Sequence, residues 1–294
     1  MDSIAANKEV IIPLILQPTK AAFLPLLEEH RLEIESFRRN TFKYGHTDRH
    51  QLDVYYPPAE RITGSKRAPV LFFAYGGGFT GGTRSLPPPE DIVYNNLATF
   101  FANRGFIVVI PDYRLVPEAK FPEPAEDVRD AISWVVRNTE EVMQGTNLEA
   151  DTENLFVMGH SAGANHVMTM LLYPGLLPHD LLARIRGVIP RVYYGSEKDI
   201  LDRMPITLLR QASDEAIQGL PDLLLMASEN DPGALRAGID EFVAELKRRL
   251  GRDVKLSLMV GHNHISPHWA LWSGAGEEWA VEVTEWIKEK IRET

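Results

Sequence analysis

Apolar side chains recur along this chain at two spacings, and the places where one spacing gives way to the other outline its elements. From Lys20 to about Asn40, Phe23, Leu27, Ile34 and Phe37 fall among Glu28, Glu29, Arg31 and Glu33, which predicts an amphipathic helix. Leu52, Val54 and Tyr56 then alternate with polar or small partners until Pro57-Pro58 ends the run, as a strand does, and Arg61 to Arg67 is a polar turn. Pro69-Val70-Leu71-Phe72-Phe73-Ala74-Tyr75 is almost continuously apolar, the pattern of a strand buried on both faces, and it runs into Gly76-Gly77-Gly78.

The alternation continues. A helix is expected between Ile92 and Arg104, a buried strand over Phe106-Ile107-Val108-Val109-Ile110, and a helix through Val128, Ala131, Ile132 and Val135. A strand is expected next at Leu155-Phe156-Val157-Met158, with a helix opening at Ala164. Strand, helix, strand, helix, strand predicts an α/β fold with a mostly parallel, doubly wound sheet flanked by helices. Arg186-Gly187-Val188-Ile189, Leu223-Leu224-Leu225-Met226-Ala227 and Val254 to Val260 extend the sheet. Leu235, Ile239, Phe242, Val243 and Leu246 mark a helix between the last two, and Trp279, Val283, Trp286 and Ile287 a closing one. The polar stretch Tyr193 to Gln218 interrupts the pattern. Residues 1–40 are read as an N-terminal lid segment and 41–294 as a single domain, with 193–218 as a second element of a small helical lid; no repeat or low-complexity linker divides the chain.

Composition narrows the partners more than it narrows the fold. A chain of 294 residues with 44% hydrophobic content can build one large core. A net charge of −10, from 31 basic and 41 acidic side chains, argues against nucleic acid and membrane surfaces. The absence of cysteine excludes disulfides and thiolate metal sites. Met1-Asp2-Ser3 carries no basic n-region, Val10 to Leu16 is short and broken by Pro13, and no apolar run reaches bilayer length. With no Asn-x-Ser/Thr acceptor in addition, a cytoplasmic location is expected.

The chemistry gathers where predicted strands end. Gly159-His160-Ser161-Ala162-Gly163 stands between a strand and a helix, and a serine on so sharp a turn is lifted out to attack. Such a five-residue pattern also arises by chance, so it needs a base, an orienting carboxylate and donors for a developing oxyanion. Asp231 comes after the strand 223–227 and could be that carboxylate or the N-cap of the next helix; Glu229 is the second choice, and Asp222 lies at the wrong end of the strand. Three imidazoles, His262, His264 and His268, crowd the loop after the last strand. A metal site there is disfavoured, because the other six histidines are scattered and no acidic group is placed as a further ligand. His46 and His50 read as a solvated turn. The triglycine after a buried strand provides tandem N–H groups close to a reacting carbonyl. A serine, then an acid, then a histidine, each after its own strand, is the order of hydrolases on this kind of sheet.

With these residues in hand, the chain resembles the α/β-hydrolase superfamily and, within it, the hormone-sensitive-lipase-like esterases. The likeness runs from about Leu52 to the C-terminus and is carried by Gly76-Gly77-Gly78-Phe79, Asp112-Tyr113-Arg114-Leu115-Val116-Pro117-Glu118 with Phe121-Pro122, the serine motif, Asp231-Pro232 and Gly261-x-x-His264. The resemblance implies Ser161 as nucleophile, His264 as base, Asp231 as orienting acid, and the N–H groups of Gly77, Gly78 and Ala162 as the oxyanion hole. It implies a carboxylesterase acting on small to medium acyl esters, with neither cofactor nor metal. A homodimer is compatible with it. Asp112 and Arg114 match a block that is structural in the family. Two positions depart from its pattern: Tyr75 stands where the family has histidine, and His160 where it has aspartate. Gly-His-Ser-Ala-Gly is similar to the kynurenine formamidases, so an arylformamidase is the alternative reading. A biosynthetic tailoring hydrolase of a larger ester or lactone and a non-catalytic binding protein on the same fold are the others.

Overall fold

The computed structural model describes residues 1–62, 66–192 and 204–293. Eight strands among them form one sheet in the order β1-β2-β4-β3-β5-β6-β7-β8: β1 (Arg39–Lys43), β2 (Gln51–Tyr55), β3 (Arg67–Ala74), β4 (Ile107–Pro111), β5 (Glu149–Ser161), β6 (Ile185–Val192), β7 (Asp222–Asn230) and β8 (Lys255–Asn263). β1 and β2 pair antiparallel with their neighbours, and every later pairing is parallel. The mostly parallel sheet read from the sequence is therefore the observed one.

The helices are α1 (Asp2–Ala6), α2 (Ile12–Glu29), α3 (Arg31–Glu35), α4 (Asn95–Ala102), α5 (Glu123–Arg137), α6 (Thr139–Val142), α7 (Ala162–Leu172), α8 (His179–Leu182), α9 (Pro205–Gln211), α10 (Asp214–Gln218), α11 (Gly233–Leu250), α12 (Ser266–Ala270) and α13 (Glu278–Arg292). α4 and α13 share one face of the sheet, where Phe101 meets Trp279 edge-on at 6.3 Å. α5, α7 and α11 cover the other, joined by α9 packed between α7 and α11. Between them Val70 to Ala74 of β3 and Leu155 to Met158 of β5 are buried, which is why those two runs read as unbroken apolar stretches.

The chain leaves β3 toward β4 on one side and later passes to β5 on the other. The crevice outside the carboxyl ends of such strands is where open α/β sheets bind their ligands. The triglycine comes directly after β3, and Ser161 ends β5.

Three expectations change. The helix expected over 20–40 begins at Ile12, turns at His30 into α3, and has ended by Ser36. Pro13 sits in its first turn, where a missing N–H leaves no bond unmade. Residues 39–43 instead form an edge strand whose side chains alternate between exposed and half-buried; Phe42 packs on Trp134 at 5.6 Å, and so polar an edge gave no apolar signal. The helix expected from Ile92 is delayed to Asn95, because Tyr94 adopts a φ of 68°. His50 is not solvated: it stacks on Tyr44 at 5.0 Å and reaches Asp127 at 3.1 Å. Of the stretch 193–218, residues 193–203 lie outside the described residues; the rest holds α9 and α10, with Leu209 and Ile217 fully buried.

Candidate active site

Ser161 ends β5 and caps α7 with φ 53° and ψ −123°, a conformation rarely taken by a residue with a Cβ. The turn can be this sharp because a glycine stands two residues on. A Cβ on Gly163 would lie 2.2 Å from the carbonyl oxygen of Ala74 and 2.3 Å from that of Tyr75, so only glycine lets α7 press against the end of β3. Ala162 is the first residue of α7, at the end where backbone N–H groups lack partners within the helix and its dipole favours negative charge.

The triglycine lies against the serine. A Cβ on Gly76 would come within 2.9 Å of the Ser161 Cβ, and Gly77 and Gly78 take φ values of 149° and 60°. The loop closes on itself through the Gly81 N–H, which donates to the Gly77 carbonyl at 3.0 Å. Tyr75 anchors it. The ring is fully buried and stacks on Tyr113 at 4.8 Å; its hydroxyl donates to Asp112 Oδ1 at 2.5 Å and accepts from Arg49 Nη2 at 2.8 Å. Burial, with the Asp112 carboxylate beside it, holds the Tyr75 hydroxyl protonated well beyond the usual tyrosine range. Asp112 also accepts from the Arg84 backbone N–H at 2.7 Å and from its guanidinium, while Arg49 reaches the Gly82 carbonyl at 2.9 Å. Both ends of the glycine loop are thus tied to one carboxylate, and the tyrosine that departs from the family pattern is what ties the first.

Asp231 and His264 meet across the β7 and β8 ends. Asp231 Oδ1 accepts from His264 Nδ1 at 2.8 Å, which puts the imidazole proton on Nδ1, and Oδ2 accepts from the Ser228 N–H at 2.7 Å. Helix α11 is capped by Pro232 without a side-chain bond, so Asp231 is not its N-cap. Glu229, the alternative acid, is engaged elsewhere: its Oε2 accepts from the Gly261 N–H at 2.7 Å where the β7–β8 register shifts, and Asp222 pairs with Lys290 at the far end. His262 is taken up by Ser266 Oγ at 2.8 Å and the Gly276 carbonyl at 2.9 Å. The two halves of the site join at His160, whose Nε2–H donates to the backbone carbonyl of His264 at 2.9 Å, with the two rings 5.0 Å apart.

Nearby, His166 on α7 lies between Phe79 and Tyr113. Burial pushes it down to about 4, against a small opposing pull from Asp127. Asp127 itself holds Arg114 through two carboxylate oxygens, which is the structural use of the Asp112-Tyr113-Arg114 block. Among the described residues no group of three or more histidine, aspartate or glutamate side chains is disposed to hold a metal ion. Sequence reasoning missed Arg49, Arg84 and Asn263, polar residues whose partners are distant in the chain. Asp112 was signalled by its place after a strand and by the block 112–118, but not its hold on the glycine loop.

Comparison with known proteins settles the fold. The bacterial brefeldin A esterase, described as a homologue of human hormone-sensitive lipase, superposes with a TM-score of 0.64 over 93% of this chain and 87% of its own, at 22% identity. The chain has the α/β-hydrolase fold. A family model described as BD-FAE matches residues 52–175 of this chain, from β2 to just past α7. The probable carboxylesterase M8 of Phoma sp. is 31% identical over 178 residues, which are 58% of this chain and 55% of that protein. The non-reducing polyketide synthase atr1 of Stereocaulon alpinum is 29% identical over 171 residues, 57% of this chain and 6% of the synthase. The chain thus matches about half the length of the first relative and a small part of the second. No helix among its described residues is long and apolar enough to cross a membrane.

Proposed function

We propose that the chain is a serine carboxylic-ester hydrolase with Ser161 as nucleophile, His264 as general base and Asp231 as the carboxylate that orients it. The observation that carries this reading is the 2.8 Å contact between Asp231 and His264 Nδ1, on the strand ends beside a serine of positive φ. With the proton on Nδ1, the Nε2 lone pair is the acceptor for the serine proton. Ser161 Oγ then bonds to the ester carbonyl carbon while His264 takes its hydrogen. The carbonyl oxygen becomes an oxyanion facing the N–H groups of Gly77, Gly78 and Ala162. The intermediate collapses, the C–O bond to the alcohol breaks, and His264 returns the proton to the leaving oxygen. Water repeats the sequence on the acyl-enzyme, releasing acid and Ser161. Residues 1–40 and, of the second lid element, the described part 204–218 bound the substrate pocket in this reading.

A second reading keeps the same residues and changes the substrate. The likeness to part of a polyketide synthase favours a tailoring hydrolase that opens a larger ester or lactone. His160 keeps an aryl formamide within reach of the same chemistry. Turnover of short acyl p-nitrophenyl esters, an aryl ester of a bulky acid and N-formylkynurenine, each measured against Ser161→Ala, tests the set. Hydrolysis of the short esters that falls by about 10⁴-fold or more in the variant supports the first reading. Activity confined to the bulky ester or the formamide reassigns the substrate, and turnover unchanged in Ser161→Ala ends the serine mechanism.

A further inference from the structure

Asn263 immediately precedes His264 and is almost wholly buried. Its Oδ1 accepts from the backbone N–H groups of Ile265 at 3.0 Å and Ser266 at 2.9 Å, and its own N–H donates to Ser266 Oγ at 3.1 Å. One side chain therefore shapes the turn that carries His264. Two donors on Oδ1 fix which way the amide faces, leaving its NH2 pointed away from the turn. There Nδ2 donates to Thr19 Oγ1 at 3.1 Å, across 244 positions of sequence. Thr19 lies in α2 and is fully buried; its hydroxyl gives its own proton to the Ile15 carbonyl at 2.8 Å, so toward Asn263 it is an acceptor.

A second contact repeats the arrangement at the acid. Lys8 Nζ donates to Asn230 Oδ1 at 3.2 Å, and Asn230 immediately precedes Asp231. The same ammonium reaches the Ala5 carbonyl at 2.9 Å, which fixes it to α1, and α1 packs along β8. The N-terminal segment thus holds the residue before the base and the residue before the acid, each by a polar side chain on an asparagine.

We propose that the N-terminal segment positions the Asp231–His264 pair, Thr19 acting through Asn263 and Lys8 through Asn230, instead of serving only as a cover over the pocket. The proposal rests on the serine-hydrolase reading of the site. Thr19 is a positioning residue: without its acceptor, the Asn263 NH2 is left dry and unsatisfied, and the amide must turn from the loop that it shapes. A displacement of the imidazole by a fraction of an ångström acts on the reacting geometry, which governs turnover more than ground-state binding.

The test compares Thr19→Val, which keeps the shape and loses the acceptor, with Thr19→Ser, which restores the acceptor, and with Lys8→Met at the other contact. On a short acyl p-nitrophenyl ester, Thr19→Val is expected to lower kcat about tenfold with KM unchanged, Thr19→Ser to return to within about twofold, and Lys8→Met to lose a smaller factor. The low-field proton resonance expected of His264 Nδ1–H in the wild type, from its 2.8 Å bond to Asp231, should shift or broaden in Thr19→Val. Unchanged kcat in folded Thr19→Val overturns the proposal, as does a rise in KM alone that grows with the size of the alcohol, which marks a cover. If Thr19→Val does not fold, unchanged kcat in Lys8→Met overturns it. If the wild-type protein hydrolyses no ester, the functional reading fails separately. The imidazole resonance then decides the positioning, a shift in Thr19→Val supporting it and an unaltered signal overturning it.

Discussion

The two halves of the site are held in place by different means. On the serine side, Gly163 and Gly76 are set by backbone packing: the carbonyls of Ala74 and Tyr75 and the Cβ of Ser161 leave no room for a side chain. Everything needed to build that half lies within two short stretches, 74–84 and 157–164, with Asp112 and Arg49 bracing the first. On the acid–base side, Asp231 and His264 stand on loops whose shape depends on single polar contacts from Glu229 to Gly261, Asn263 to Thr19 and Asn230 to Lys8. Close packing tolerates no substitution and announces itself as glycine. Polar tethers tolerate conservative change and leave no local pattern.

Four substitutions sharpen the contrast. Asp231→Asn has the largest expected effect, because the amide can no longer hold the proton on His264 Nδ1: kcat should fall by about 10³- to 10⁴-fold while the melting temperature changes little, measured by ester hydrolysis and thermal unfolding. Gly163→Ala comes next. Its methyl group meets backbone oxygens that cannot yield, so stability should drop by about 3 kcal/mol or more in urea unfolding, with activity down at least tenfold in whatever remains folded. Tyr75→Phe removes the hydroxyl between Asp112 and Arg49 and should lower kcat by about tenfold with KM nearly steady; an unaltered kcat would mean that the glycine loop holds its shape without the anchor.

The fourth substitution concerns pH and stability and leaves the reacting groups untouched. The His166 imidazole is held near 4 in the folded chain against 6.5 in an unfolded one, so between those values the unfolded state binds a proton that the folded state refuses. Stability is fully present above about pH 6.5 and falls as pH drops toward 4, by about 3 kcal/mol at most from this group. His166→Gln should flatten that slope in urea unfolding measured at pH 7 and pH 4.5. A slope as steep as that of the wild type would assign it to other groups.

The same contrast explains what could be read from the sequence. The parallel sheet was legible because its central strands are buried on both faces and so carry unbroken apolar runs. The serine motif was legible because its glycines are steric necessities. The edge strand 39–43 was hidden by its polar alternation, and the start of α2 by a proline that looked like a break. For Asp231, the sequence left the choice between an acid and a helix cap open. The cap that α11 does not take from it, and the imidazole that it does contact, are matters of long-range geometry. Tyr75 was visible as a departure, but Arg49, Asp112 and Arg84 around it lie 26, 37 and 9 residues away, beyond any local pattern.

The central claim is that Ser161 is a nucleophile activated from a loop pair held at long range. Its most direct test is treatment of the folded protein with a fluorophosphonate, then mass spectrometry of the intact chain and its peptides. One adduct is expected, on the peptide that contains Ser161, formed far more slowly in Asp231→Asn and absent in Ser161→Ala. An unlabelled wild type, an adduct on another residue, or labelling as fast in Asp231→Asn as in the wild type would contradict it.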